Sequence, residues 1–361
     1  MNKHTLIPNG QHRQAGLTLV ELMVAMVISL FLIAGTITIF LSNKQAYRLN
    51  EASSRVQENS RFALDFMRRD VRMAGYVGCL SKNLAGNLNN VVDPAGLTGT
   101  DIKNIVSGFD GTNSLKGYTI PSGGLVTTGD LYINGLRTDT TNEGQAVPST
   151  DAFIVTQGNS CEGGSVAHVL PGTSAAVQIV DAGSCGIIQQ SVVMISDCEK
   201  ADLFRVVNNP VSGGSKDTLA HSVGGSLNTQ NTLSKAYGLD ADVYTLTTSI
   251  YYIGHGASGE PSLFRRRYSG AAGNIQNEEL VEGVESMVVT YGIDTDGDGS
   301  ANFYANATSV DTTPANWARV NSARIRLVVR SAVQNVVQST TNTDRRLRHT
   351  FTETIKVRNK I

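Results

Sequence analysis

The run Asp294-Thr295-Asp296-Gly297-Asp298-Gly299 places carboxylates at every other position and closes on glycine. That pattern is the first half of a calcium loop, where oxygens converge on a hard cation and glycine permits the sharp turn. The glutamate expected at the twelfth position is missing: Ala305 stands there, and Asp311 is the next carboxylate. The other reading is an Asp/Gly-rich turn between two strands. Ca2+ at Asp294, Asp296 and Asp298 would stiffen a loop and do no chemistry, and no cofactor is otherwise required.

The remaining reactive residues also point away from catalysis. Cys79, Cys161, Cys185 and Cys198 are an even set, which fits an oxidising compartment and two disulfides with three pairings open. Their spacings lack C-x-x-C and no histidine cluster is near, so zinc is a poor rival. His168, His221, His255 and His349 stand alone, and no nucleophile elbow is present. The chain is expected not to be an enzyme. A formal net charge of -1 excludes a polybasic nucleic-acid binder, and Arg265-Arg266-Arg267 and Arg324, Arg326 and Arg330 read as solvated sheet faces.

One more carboxylate has a context that demands an explanation. Leu17 to Leu41 is a largely apolar run of 25 residues with one charge, Glu21, and follows a short basic leader. As a helix rising about 1.5 Å per residue it is about 37 Å long, enough for a hydrocarbon core of about 30 Å. An intramembrane carboxylate is costly unless paired, so Glu21 reads as functional. A signal peptide would have a shorter apolar run and a small-residue cleavage site, and neither is seen. A plain anchor explains the length but gives no role to Glu21.

The stretch Gly16-Leu17-Thr18-Leu19-Val20-Glu21 resembles the prepilin processing motif, usually G-F-T-L-I-E, with Leu17 where Phe is more common. The resemblance implies cleavage between Gly16 and Leu17 by prepilin peptidase and N-methylation of Leu17. Glu21 would then pair with an N-terminal amine, its own or a neighbour's, and set the register between packed helices.

From Ser42 to Gly75 the composition turns polar with no helix breaker, and no proline occurs between residues 17 and 73. Val56, Phe62, Ala63, Phe66, Met67, Val71 and Ala74 recur at three- and four-residue spacing, an apolar stripe on one helix face. The spacing predicts one helix from Leu17 to about Ala74, with Gly35 its soft spot. Asp65 with Arg69 is an i,i+4 pair, and Arg68, Arg69 and Arg72 read as a solvated face.

RFALDFMRRDVRMAGYVGC resembles the segment that follows the helix in the PilW family of minor pilins. SDCEKADLFRV, ELVEGVESMVVTYGIDTDGDGSAN and the final RHTFTETIKVRN resemble further stretches of that family. By this resemblance Cys79 pairs with Cys198, leaving Cys161 with Cys185 to close a hairpin-like loop. It also implies an α+β, type IV pilin-like fold: a long N-terminal α-helix packed on a mostly antiparallel β-sheet with β-rich insertions.

The expected organisation is a leader over 1–16, a transmembrane or filament-core half-helix over 17–41, an amphipathic half over 42–75 and a β-rich head over 76–361. Strands are expected over 152–157, 176–180, 191–195, 244–253, 280–291, 320–331 and 347–357, with surface loops over 135–150 and 208–238. The resemblance implies a minor pilin in a tip complex that primes pilus assembly for twitching and adhesion. Its partners would be other minor pilins, the major pilin and a PilY-type adhesin. Before assembly it would span the inner membrane once, N-terminus cytoplasmic and head periplasmic, and afterwards lie at the pilus tip. The rivals are a J-type minor pseudopilin of type II secretion and a periplasmic binding or enzymatic domain on an ordinary anchor.

Overall fold

Helix α1 runs from Leu19 to Met73, 55 residues without a break at Gly35. In the computed structural model the described residues are 16, 18–96, 106, 109–128, 131–138, 140–210, 216–269, 275–312, 314–338 and 342–359. The leader over 1–15 and Leu17, with the methylation assigned to it, lie outside them. The chain divides into two compact units, Met1–Glu51 and Ala52–Ile361.

In the first unit the helix is uncovered, and its most apolar window has a mean hydropathy of 2.6 and is 0% buried. Ser29, Thr36 and Thr38 return their hydroxyls to the carbonyls of Ala25, Ile33 and Ala34 at 2.7–2.8 Å. Their polar atoms are thereby satisfied within the helix, as a hydrocarbon surrounding requires.

In the second unit α1 buries Ala52, Val56, Ser60, Ala63, Met67, Asp70 and Val71. This arc is rotated slightly from the predicted stripe: Phe62 and Phe66 are 52% and 39% exposed. The helix ends where Gly75 turns to φ +74°, a conformation glycine adopts at no steric cost.

The strands are β1 (Leu88–Asn90), β2 (Leu115–Thr119), β3 (Leu125–Thr128), β4 (Leu131–Arg137), β5 (Asp151–Asn159), β6 (Val177–Ile179), β7 (Val192–Ser196) and β8 (Ala201–Arg205). They continue as β9 (Asp217–Leu219), β10 (Asp242–His255), β11 (Pro261–Ser269), β12 (Ile275–Glu282), β13 (Val284–Ile293), β14 (Phe303–Asn306), β15 (Val320–Arg330) and β16 (Arg348–Lys356). A short helix α2 (Ala307–Asp311) follows β14.

Long β10 is the spine of an eight-stranded sheet ordered β1-β8-β7-β10-β11-β12, with β5 also on β10 and β2 beside β5. One edge of β10 pairs with β11; the other is shared, β7 taking its start and β5 its middle. A four-stranded sheet has the order β14-β13-β15-β16, and β3–β4 and β6–β9 are separate ribbons. Pairing is antiparallel except between β1 and β8. Val56, Ala63, Met67 and Val71 share one core with Phe153, Tyr251 and Ile253 of the large sheet and Met287, Ile325 and Ile355 of the small one. Both sheets thus close on the same helix face, each large buried apolar side chain contributing about 1.5–3 kcal/mol.

Three expectations are corrected here. The strand expected over 280–291 is two strands in two sheets, broken at Gly283. The expected surface loop over 208–238 contains β9 and buries Leu219, His221, Asn228, Leu233 and Tyr237, because Asn228 and neighbouring backbone satisfy its polar groups inside. The other expected loop, over 135–150, begins inside β4 and buries Ala146.

Candidate assembly surface

Thr18 and Glu21 close the start of α1 on each other. The Thr18 N–H and hydroxyl donate to Glu21 Oε2 at 2.9 and 3.0 Å, and the Glu21 N–H donates to Thr18 Oγ1 at 3.3 Å. This is a capping box, which satisfies otherwise orphaned donors of the first turn and sets a carboxylate at the positive end of the helix dipole. The sequence reading gave Glu21 an amine as partner. In the unprocessed chain that nitrogen is still an amide, and the carboxylate takes Thr18 instead. Thr18 was missed, although T-x-x-E ahead of an apolar run is its signature.

At the other end of α1 the stretch Ala74-Gly75-Tyr76-Val77-Gly78-Cys79 makes two left-handed turns, at Gly75 and at Gly78 with φ +68°. The Tyr244 hydroxyl fills the space that a side chain at Gly78 would need. Cys79 is then bonded to Cys198, with a Cα separation of 5.1 Å, and Cys161 to Cys185 at 5.2 Å. Around Cys198, Asp197 accepts the N–H groups of Glu199 and Lys200, both at 2.8 Å, and pairs with Lys235. Asp202, fully buried, accepts from Asn89, from the Ser234 N–H and hydroxyl, and from Tyr237. Burial of a charge is tolerable only with such complete satisfaction.

The helix is also tied to the sheets by polar contacts. Arg68, expected on a solvated face, donates through Nε and Nη2 to the two oxygens of Glu353 on β16, with Asp65 a second partner at 3.2 Å. Asp65 therefore meets Arg68 rather than Arg69. The Tyr251 hydroxyl donates to buried Asp70 at 2.7 Å, and burial together with that carboxylate pushes the phenol up, so it remains a neutral donor. Arg265, beside Phe66, pairs with Glu278 on β12.

Gly283, inside E-L-V-E-G-V-E, is where the chain leaves the large sheet for the small one. Its φ is +82°, its N–H donates to Pro261 O at 2.9 Å, and its carbonyl accepts the Arg330 N–H at 2.8 Å. Asn59 of α1 donates to the adjoining Glu282 carbonyl. Around this corner Arg330 and Arg346 both pair with Glu260, while Arg348 bridges Glu285 and Asp344.

Hydrogen bonds from Arg348 hold the Glu285 and Asp344 carboxyls below their usual range, against the opposing effect of burial. Depressed carboxyl values stabilise the fold fully above the unfolded value of about 4.3, and the contribution is lost as pH falls through the folded values. The melting temperature is thus expected to be level from neutrality to about pH 5 and to drop below about pH 4. Glu285→Gln should reduce that acid-side drop; an identical profile in the variant would show the network to be irrelevant.

The Asp loop joins β13 to β14. The ligand atoms of Asp294, Asp296 and Asp298 lie within 4.8 Å of one another. Both Asp294 oxygens accept backbone N–H groups, from Gly297 and Gly299, and Asn302 bonds Asp296 and Thr295. The donor set is all oxygen and suits a hard cation. Asp311, the later carboxylate, faces elsewhere and accepts from Trp317 Nε1.

Residues 250–359 match the family described as Type IV Pilus-assembly protein W, a span that takes in Gly283 and the whole four-stranded sheet. Residues 11–37 match the Prokaryotic N-terminal methylation motif. No curated protein matches the sequence. Among solved structures, a type IV-like pilin from Thermus thermophilus is similar at 13% identity and a TM-score of 0.21, over 49% of this chain and 88% of that one. That likeness is too slight to carry weight. In its prepilin-type start and its C-terminal region this chain is similar to the PilW family of pilus-assembly proteins.

Proposed function

We propose that the chain is a minor pilin of the tip complex that primes a type IV pilus and serves twitching and adhesion. The observation that carries the reading is the uncovered apolar half of α1, headed by a lone carboxylate and followed by a disulfide-bonded head. Such a surface needs lipid first and other helices afterwards. Before assembly the helix would span the inner membrane with the head in the periplasm. Afterwards it would pack on the major pilin and other minor pilins, with a PilY-type adhesin beyond. A head built on two sheets is bulky for every step of a thin filament, and the distal end has open space. The match to pilus-assembly protein W favours this role over a J-type pseudopilin.

Mass analysis of the mature N-terminus should find methylated Leu17, and replacing Gly16 with Val should leave the leader attached. Deletion should abolish surface pili and twitching. A mature chain beginning elsewhere overturns the prepilin reading, and normal piliation overturns the pilus role.

The convergence of Asp294, Asp296 and Asp298 favours Ca2+ as a loop stiffener. Chelator should lower the melting temperature of the native chain by a few degrees and leave Asp296→Ala unmoved. Equal responses would reject the cation.

A further inference from the structure

The outer face of the four-stranded sheet carries Arg324 and Arg326, and the cleft beside it sets four cations against one carboxylate, Glu353. Several other cations of the head are answered by carboxylates, as at Arg265, Arg330, Arg346 and Arg348. Arg324 and Arg326 on β15 instead stand opposite Thr354 and Thr352 of β16, exposed and, among the described residues, without a carboxylate. Arg324 lies over the Tyr304 ring at 3.8 Å and donates to Thr354 Oγ1, so its guanidinium is held flat. Thr354 and Lys356 also line a cleft of about 510 Å³ between β16 and the end of α1, whose other cations include Arg72 and Arg358. Among the described residues neither Arg72, Lys356 nor Arg358 has an ion-pair partner. Arg68 in the same cleft is fixed by Glu353 and so forms its wall.

Edge geometry adds a second requirement. Among the described residues β16 is the last strand of its sheet and pairs only with β15, so its outer backbone groups can receive another strand. A guanidinium matches a carboxylate bidentately, and the threonine row offers hydroxyl donors between the charges. The ring on this face, Tyr304, is already covered by Arg324, which leaves no platform for stacking a base.

The geometry points to a docking site for an extended, carboxylate-rich segment of a neighbouring pilus subunit, laid along β16 with its acids on Arg72, Lys356 and Arg358. This rests on the pilin reading, because it supplies the neighbour. Head-to-head contact in the complex then has a direction: one subunit brings the basic edge, the next an acidic strand.

The test uses the full chain in detergent and a fluorescent peptide of roughly ten residues alternating Glu and Thr, a strand's length. Anisotropy at physiological ionic strength should show saturable binding. The combined variant Arg72→Glu, Lys356→Glu, Arg358→Glu should bind about tenfold more weakly. Its melting temperature reports folding, and Arg324→Glu with Arg326→Glu, further from α1, gives an independent loss of binding if the first set unfolds. Equal binding by wild type and both variants overturns the proposal, as does a single-stranded oligonucleotide of equal charge binding as tightly as the peptide. A chain correctly processed at Leu17 that does not bind the peptide removes this inference and leaves the pilin reading standing.

Discussion

Replacing Cys79 and Cys198 together by Ala is expected to cost about 5 kcal/mol, against about 3.5 kcal/mol for the Cys161 and Cys185 pair. The difference follows from the loops closed: the bridges span 119 and 24 residues, and a longer loop loses more denatured-chain entropy when cross-linked. Position reinforces length. Cys79 comes six residues after the end of α1, and Cys198 sits in the turn between β7 and β8, so the first bridge binds the helix exit to the large sheet. Losing about 5 kcal/mol is comparable to the whole stability of many domains. Double replacement avoids a stray thiol, and denaturant midpoints with unchanged slopes give the comparison. If the shorter bridge proved the more costly, loop entropy would not be what these disulfides supply.

Gly283→Ala is expected to cost about 1–3 kcal/mol from backbone strain alone, since φ +82° disfavours any side chain. A Cβ there would also stand 2.7 Å from the Arg330 carbonyl oxygen, so the strand must shift. That shift strains the stitches to Pro261 and Arg330 and the adjoining ion pairs, so the total should exceed the strain figure. Gly35→Ala is the control: it lies in a helix with nothing within 4 Å and should be neutral or slightly stabilising. The comparison is one of denaturant midpoints, and equal stability for both variants would mean that the sheet corner is not under constraint.

The helix was legible because its evidence is local and repeated: no proline, a long apolar run, then spacing of three and four. Its burial arc was legible less well, as Phe62 and Phe66 show. Their spacing fits the stripe, but the face that packs is chosen by two sheets the spacing cannot see. Strands such as β10, β15 and β16 announced themselves by alternation. β8 did not, since Ala201 to Arg205 is buried at every position and includes Asp202 and Arg205. Only the Asn89, Ser234 and Tyr237 side chains, brought from remote stretches, make an aspartate affordable there. The break at Gly283 was signalled by a glycine inside a strand pattern, yet its meaning, a change of sheet, depends on partners at residues 261 and 330. Arg68 looked solvated because Glu353 is 285 positions away.

Ser29, Thr36 and Thr38 spend their hydroxyls on their own helix, and this leaves the rod from Leu22 to Leu41 without a lateral polar handle. Two such rods side by side would meet as greased surfaces, free to slide and rotate with little change in energy. Any preference for one alignment would have to be imposed from the ends, by the carboxylate at one and the bulk of the head at the other. A rod of this kind can exchange a lipid surrounding for an apolar helix surrounding without stranding a polar group, and it tolerates neighbours of different sequence.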